Sequence, residues 1–282
     1  GGNLSLEQAL ETTSGDILLT AEGNIVLSDI ANLGSTSGAI QFVADSDNDG
    51  TGGIAMEEGT LVDAGSGLIS LQASGNIVIG RLITTNANDF EITSEAGAIR
   101  GAAAAIGFIE APAARLILST STGVGLLGLP ISTTVAGLQV TNQTSGGVYI
   151  EEADSLTIFR AIQNAPADLS IETVNGPITI AGGGEGVRAT SGNINLYAGG
   201  ISGSGFGLDA SVSTTGGDIN ITTESGSIVL GAGIEIIGDG HITLTAPQGS
   251  VLNNPLTVGW RLDGGTFDPK LDWILRQGLV DV

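Results

Sequence analysis

Apolar and polar residues alternate along this chain in short bursts, each closed by a glycine turn and followed by a second burst. Ile17 and Leu19 lead into Gly23-Asn24 and then Ile25 and Leu27. The unit returns as Ile69 and Leu71 with Gly75-Asn76, Ile77 and Ile79, and as Phe90 and Ile92 with Gly97 and Ile99. Leu138 and Val140 with Gly147, Val148 and Ile150 make a further copy. Leu169 and Ile171 with Gly176, Ile178 and Ile180 follow, then Ile219 and Ile221 with Gly226, Ile228 and Leu230, and Ile242 and Leu244 with Gly249 and Val251. Ile40, Leu116 and Ile194 open less regular copies. Strict alternation of this kind marks strands with one buried face.

Successive copies are separated by 23, 29, 21, 26, 22, 31, 25, 25 and 23 residues, a mean of 25. A third, weaker apolar segment follows in most copies: Leu61-Val62, Leu82-Ile83, Leu156 and Ile158, Ile234 and Ile236, Leu256 and Val258. Three short strands per copy, separated by Gly, Asn, Ser and Thr, describe a chain that turns corners. No copy holds a helical pattern, which excludes leucine-rich and βαβ repeats. A strict six-residue period is absent too, which excludes the hexapeptide left-handed form. The pattern predicts an all-β fold: a right-handed parallel β-helix, a three-faced solenoid of about ten coils of about 25 residues. It is expected to span residues 1–260, with residues 261–282 as a C-terminal cap or linker. In that tail Asp268-Pro269 reads as a helix start, Leu271, Ile274 and Leu275 as its apolar stripe, and Gly278 as its stop, predicting a short helical cap.

Composition sharpens this picture. The chain has 282 residues with 46 glycines, which suit close corners, and few aromatic residues, which suit a narrow aliphatic interior. Thirty acidic residues against eight basic ones leave a net charge of −22, which repels phosphate backbones and disfavours nucleic-acid partners. Cysteine is absent, so there are no disulfides and no thiolate metal sites. The longest apolar run, residues 102–109, is far short of the roughly 18 residues of a transmembrane helix, so no transmembrane segment is expected.

The sharpest local motif is Asp45-Ser46-Asp47-Asn48-Asp49-Gly50-Thr51. Carboxylates at alternate positions followed by a glycine bend resemble the start of a calcium loop. Position twelve of such a loop is Met56 rather than an acid, and Glu57 or Glu58 is the nearby substitute. Asp45, Asp47, Asp49, Thr51 and Glu57 are therefore the candidate ligands for calcium, against the alternative of a solvated acidic turn. His241, the one histidine, reads as a surface turn residue. Nucleophile elbows and phosphate loops are absent, because Gly182-Gly-Gly184 and Gly203-Ser-Gly205 precede no helix. The pairs and triplets at Thr84-Thr85, residues 132–134 and residues 213–215 read as strand formers.

Residues 14–27 (SGDILLTAEGNIVL) and 217–230 (GDINITTESGSIVL) resemble the repeats of filamentous-haemagglutinin-type and related giant bacterial surface adhesins. The resemblance covers about residues 12–260. It implies secretion, an extracellular position on the bacterial surface and a long fibre. The expected function is non-enzymatic: a shaft segment of an adhesin or cell-surface filament. Its expected partners are neighbouring solenoid segments, copies of itself, and host or surface glycans or proteins. The alternative is a carbohydrate-active β-helix, a polysaccharide lyase or hydrolase or a glycan-binding module. A remoter one is an ice-binding or matrix protein.

Overall fold

The computed structural model describes residues 1–102, 108–183, 185–200, 205–231, 234–253 and 261–263. The described residues are strands and turns without helix, and the strands stack in parallel as a β-solenoid of about ten turns. The helix expected over Asp268–Gly278, and the apolar segment Leu256 to Val258, lie outside the described residues. The chain divides into two compact units, residues 1–145 and 146–282.

Three ladders run through the first unit. The longest strands form one: Ile17–Ala21, Ile40–Ala44, Ile69–Ala73 and Phe90–Ser94, then residues 116–120 and 138–142. The second stacks Leu4–Leu6, Ile25–Leu27, Ile54–Met56, Ile77–Ile79 and Ile99–Gly101. The third stacks Leu10–Thr12, Leu33–Ser35, Leu61–Asp63 and Arg81–Ile83, then residues 108–111 and 132–135.

The second unit repeats the arrangement. Val148–Glu152, Leu169–Thr173, Ile194–Ala198, Ile219–Thr223 and Ile242–Thr245 form its long-strand ladder. A second ladder takes residues 156–158, Ile178–Ile180, Phe206–Leu208, Ile228–Leu230 and Val251–Asn253. A third takes residues 160–163, Gly186–Ala189, Val212–Thr214, Glu235–Ile237 and Arg261–Asp263. Strand pairing thus continues past residue 260, into the segment that the sequence assigns to the tail.

The register follows the sequence spacing closely. Ile17 aligns with Ile40 and Ile40 with Ile69; Leu169 aligns with Ile194, Ile194 with Ile219 and Ile219 with Ile242. One assignment changes. Val148, which the sequence reads as opening the second strand of the Leu138 copy, opens a long strand in register with Leu169. Leu156 and Ile158 accordingly align with Ile178 and Ile180 and belong to a second ladder, not a third.

Inward positions of every ladder carry the core. Ile25, Ile54, Ile77 and Ile99 stack directly and are buried, as are Leu27, Met56 and Ile79. The interior is wider than the aliphatic pattern suggests, since Phe42, Phe90 and Phe206 are fully enclosed. Each ring sits between aliphatic neighbours: Leu19 and Leu71 flank Phe42, and Ile178 and Ile228 flank Phe206.

Corners need a different solution, because a turning backbone loses its ladder partners while staying partly buried. Inward Ser and Thr hydroxyls supply part of it. Thr120 Oγ1 donates to the Gly97 and Gly123 carbonyls at 2.7 and 3.2 Å, and Thr173 Oγ1 donates to the Gly176 carbonyl at 2.6 Å. Carboxylates and amides supply the rest by reaching to the next coil. Asp168 accepts from the backbone N–H of Asn193, Asn193 from that of Asp218, and Asp218 from that of His241, at 2.9, 2.9 and 2.7 Å. Asn3 and Asn24 do the same in the first unit, receiving the N–H groups of Asn24 and Gly53. Truncating one rung leaves a partly buried N–H without its acceptor, so Asn193→Ala should cost about 1–2 kcal/mol, measured by urea unfolding.

Candidate functional site

The motif at residues 45–51 occupies the corner between Ile40–Ala44 and Ile54–Met56. The extra residues that lengthen this coil are spent here. Asp45 and Asn48 take left-handed conformations, with φ of 59° and 57°, and Gly50 has φ of 89°. Backbone bonds from Ser46 to Ala21 and from Asp45 to Gly23 tie the loop to the preceding coil.

Carboxylate oxygens of Asp45, Asp47 and Asp49 lie within 4.8 Å of one another, with Asp45 buried and the other two exposed. Asp45 is the organiser of the loop. Its Oδ1 accepts from the Asp49 N–H at 2.9 Å and its Oδ2 from the Gly50 N–H at 3.0 Å. The Ser74 hydroxyl, from the next coil, also donates to Oδ2. The Ser74 bond, reinforced by the two backbone donors, holds the Asp45 carboxyl down at about 2 although burial opposes it. Thr51 is joined to Asp49, whose Oδ1 accepts from its backbone N–H at 3.0 Å and from its hydroxyl.

Glu57 is placed apart from this cluster. It follows the far end of the Ile54–Met56 strand, and its Oε2 accepts from the Asp29 N–H at 3.2 Å. The structure therefore gathers Asp45, Asp47 and Asp49 with Thr51 beside them, and engages Glu57 at another corner. Among the described residues this aspartate trio is the one group of three or more His, Cys, Asp or Glu side chains close enough to hold a metal.

A pH prediction follows from Asp45. Its folded value lies below the ordinary 3.8, so the stability it contributes is complete above about pH 4 and is lost as pH falls toward 2. Chemical denaturation between pH 6 and 2 should show this loss in the native chain. Ser74→Ala, which removes the main stabilising donor, brings the folded value back toward 3.8 and should shrink this loss.

Sequence reasoning passed over a second constellation, on the outward face of the long-strand ladder in the second unit. Tyr149 and Glu151 alternate along Val148–Glu152; Glu151 is in register with Glu172, and Glu172 with Tyr197. Burial pushes the Glu172 carboxyl up, and the neighbouring Glu151 charge pushes it further. Burial likewise raises both phenols, with Asp168 acting on Tyr149 and Glu224 on Tyr197. Glu224 accepts from the Gly200 N–H at 2.8 Å and lies 3.5 Å from the Tyr197 hydroxyl. Period-two alternation could have flagged Tyr149 and Glu151 as outward, but only strand register brings Glu172 and Tyr197 beside them.

The remaining candidates resolve structurally. His241 is exposed and is the last rung of the Asp168–Asn193–Asp218 series. Thr84, Thr133 and Thr214 are buried, and the Thr84 and Thr214 hydroxyls bond to glycine carbonyls, so these threonines form no outward array. Arg81, Arg115 and Arg160 pair with Glu110, Asp89 and Glu185 along the solenoid surface. Leu126 and Leu129 exchange backbone hydrogen bonds of 2.9 Å and project Leu127, 83% exposed, from a tight turn. No helix among the described residues is long and apolar enough to cross a membrane. No family model, curated protein or solved structure matches this chain.

Proposed function

We propose that this chain is a shaft segment of a bacterial surface adhesin or cell-surface filament, extracellular and without catalytic activity. The observation that carries the reading is the register: in each unit three parallel ladders continue from coil to coil over an aliphatic interior. Such a structure resists bending and proteolysis because successive coils within a unit are bonded to one another through parallel ladders. Neighbouring solenoid segments or further copies of the chain are its partners, joined through terminal strands.

Calcium has a secondary place in this reading. Asp45 already accepts three protein hydrogen bonds, so a cation at the corner draws mainly on exposed Asp47 and Asp49. Two such carboxylates hold calcium only weakly, with a dissociation constant on the order of 10⁻⁴–10⁻³ M.

Electron microscopy of the purified chain, with calcium and with chelator, tests both statements. Short stiff rods that survive thermolysin and persist in chelator are expected. Rapidly digested, irregular particles would overturn the shaft, and rods or filaments lost on chelation would overturn the minor role given to calcium.

A further inference from the structure

We propose that the outward face of the long-strand ladder in the second unit binds an amine-bearing glycan, a chain of hexosamine rings with free amino groups. The two tyrosines of the whole chain, Tyr149 and Tyr197, both lie there. Their rings are laid along the strands over glycines. Cε2 and Cζ of Tyr149 lie 2.6 and 2.8 Å from where a Cβ on Gly147 would stand, and Cε1 of Tyr197 lies 3.0 Å from that position on Gly199. Gly147 precedes its tyrosine by two residues and Gly199 follows its own by two. The rings therefore extend in opposite directions along the strands, with Glu151 and Glu172 in register between them.

The two tyrosine strands are two rungs apart, about 9.6 Å at a strand spacing of about 4.8 Å. Tyr149 aligns through Ser170 with Asn195, two residues before Tyr197, so the rings are also offset along the strands by about 6.6 Å or more and mark a diagonal that a stiff chain of saturated rings, apolar on its C–H faces, can follow. The stacked carboxylates set the charge of that chain. Glu151 and Glu172 occupy adjacent rungs, and Glu224 lies beside Tyr197. A cation among them relieves a repulsion that already disfavours ionised Glu172, and an ammonium over a tyrosine face gains a cation–π contact. Asn195, in the rung that carries Tyr197, accepts from the Asn220 amide through its Oδ1 at 3.0 Å and turns its own Nδ2 to ring hydroxyls. An extended basic peptide fits this face less well. Leu169–Thr173 is paired on both sides, to Val148–Glu152 and Ile194–Ala198, so it offers no strand edge to such a peptide.

The inference is independent of the shaft reading, and rods that fail to bind would remove this site alone. Calorimetric titration of the whole chain with a glucosamine hexamer, its fully N-acetylated counterpart and hexalysine tests it. The glucosamine hexamer should bind, with acetylation weakening it about tenfold or more. Tyr149→Ala, Tyr197→Ala and Glu172→Gln should each weaken binding by about tenfold, while Tyr149→Phe retains it and has unchanged circular dichroism. The proposal is overturned if the glucosamine hexamer does not bind, if the acetylated chain binds equally, or if the tyrosine-to-alanine variants bind as the native chain does. Hexalysine bound as tightly, with the same dependence on tyrosine, would also overturn it and make the face a peptide site.

Discussion

Gly67→Ala should destabilise the first unit by about 3 kcal/mol or more. Gly67 stands at the corner before Ile69–Ala73, stacked on Gly38, which is itself stacked on Gly15. A Cβ on Gly67 would lie 1.9 Å from the Gly38 carbonyl oxygen and 2.5 Å from its carbon. Both obstacles are backbone, so no rotamer change can relieve the contact. Relief requires the two coils to separate, which lengthens the ladder bonds on either side of the corner. Gly38→Ala should behave alike, since its Cβ would meet the Gly15 carbonyl oxygen at 2.0 Å. Gly2→Ala is the control, having nothing within 4 Å of the added carbon. Urea unfolding followed by circular dichroism reads all three. A Gly67→Ala midpoint equal to that of Gly2→Ala would contradict the stacking.

Phe42→Ala should cost about 3–5 kcal/mol. The ring is 1% exposed and lies in register between Leu19 and Leu71, so truncation opens a cavity facing two coils at once. A solenoid is stabilised chiefly by contacts between nearest neighbours, so the loss falls on both junctions. Hydrogen exchange should therefore show weakened protection in Ile17–Ala21 and Ile69–Ala73 together, alongside the lower urea midpoint. Ile30→Ala, at a residue 64% exposed, should change stability by no more than about 0.5 kcal/mol. A similar small change for Phe42→Ala would mean that the interior closes around the gap.

Both predictions rest on features with different visibility in the sequence. The glycine two residues before the long strands Ile17–Ala21, Ile40–Ala44 and Ile69–Ala73 is visible as Gly15, Gly38 and Gly67, but its reason is not. Sequence suggests a turn, whereas in the fold one backbone approaches the next closely there. Asp and Asn side chains at such corners are rungs between coils: Asp16 accepts from the Ala39 N–H at 2.8 Å, and Asp168, Asn193 and Asp218 continue the device in the second unit. A local motif does not say which residue of the next coil its side chain will meet.

The acidic loop divides in the same way. Its spacing and its glycine bend correctly point to a corner where Asp45, Asp47 and Asp49 converge. Ser74, 29 residues away, is the donor that most lowers the Asp45 carboxyl, and it belongs to no motif. Glu57, close in sequence, serves Asp29 instead, because a strand separates it from the aspartates.

Alternation and spacing by themselves determined the strands, their buried faces, the coil length and the parallel stacking. Each of these follows from a local rule repeated along the chain: apolar residues at every second position must share a dry interior, and a steady interval places successive copies above one another. Only the tertiary structure decided which strand Val148 opens, which carboxylates share a face with tyrosines, and which side chains cap the corners. Those outcomes depend on register between segments roughly 25 residues apart, where a shift of one position turns every side chain to the opposite side of the sheet.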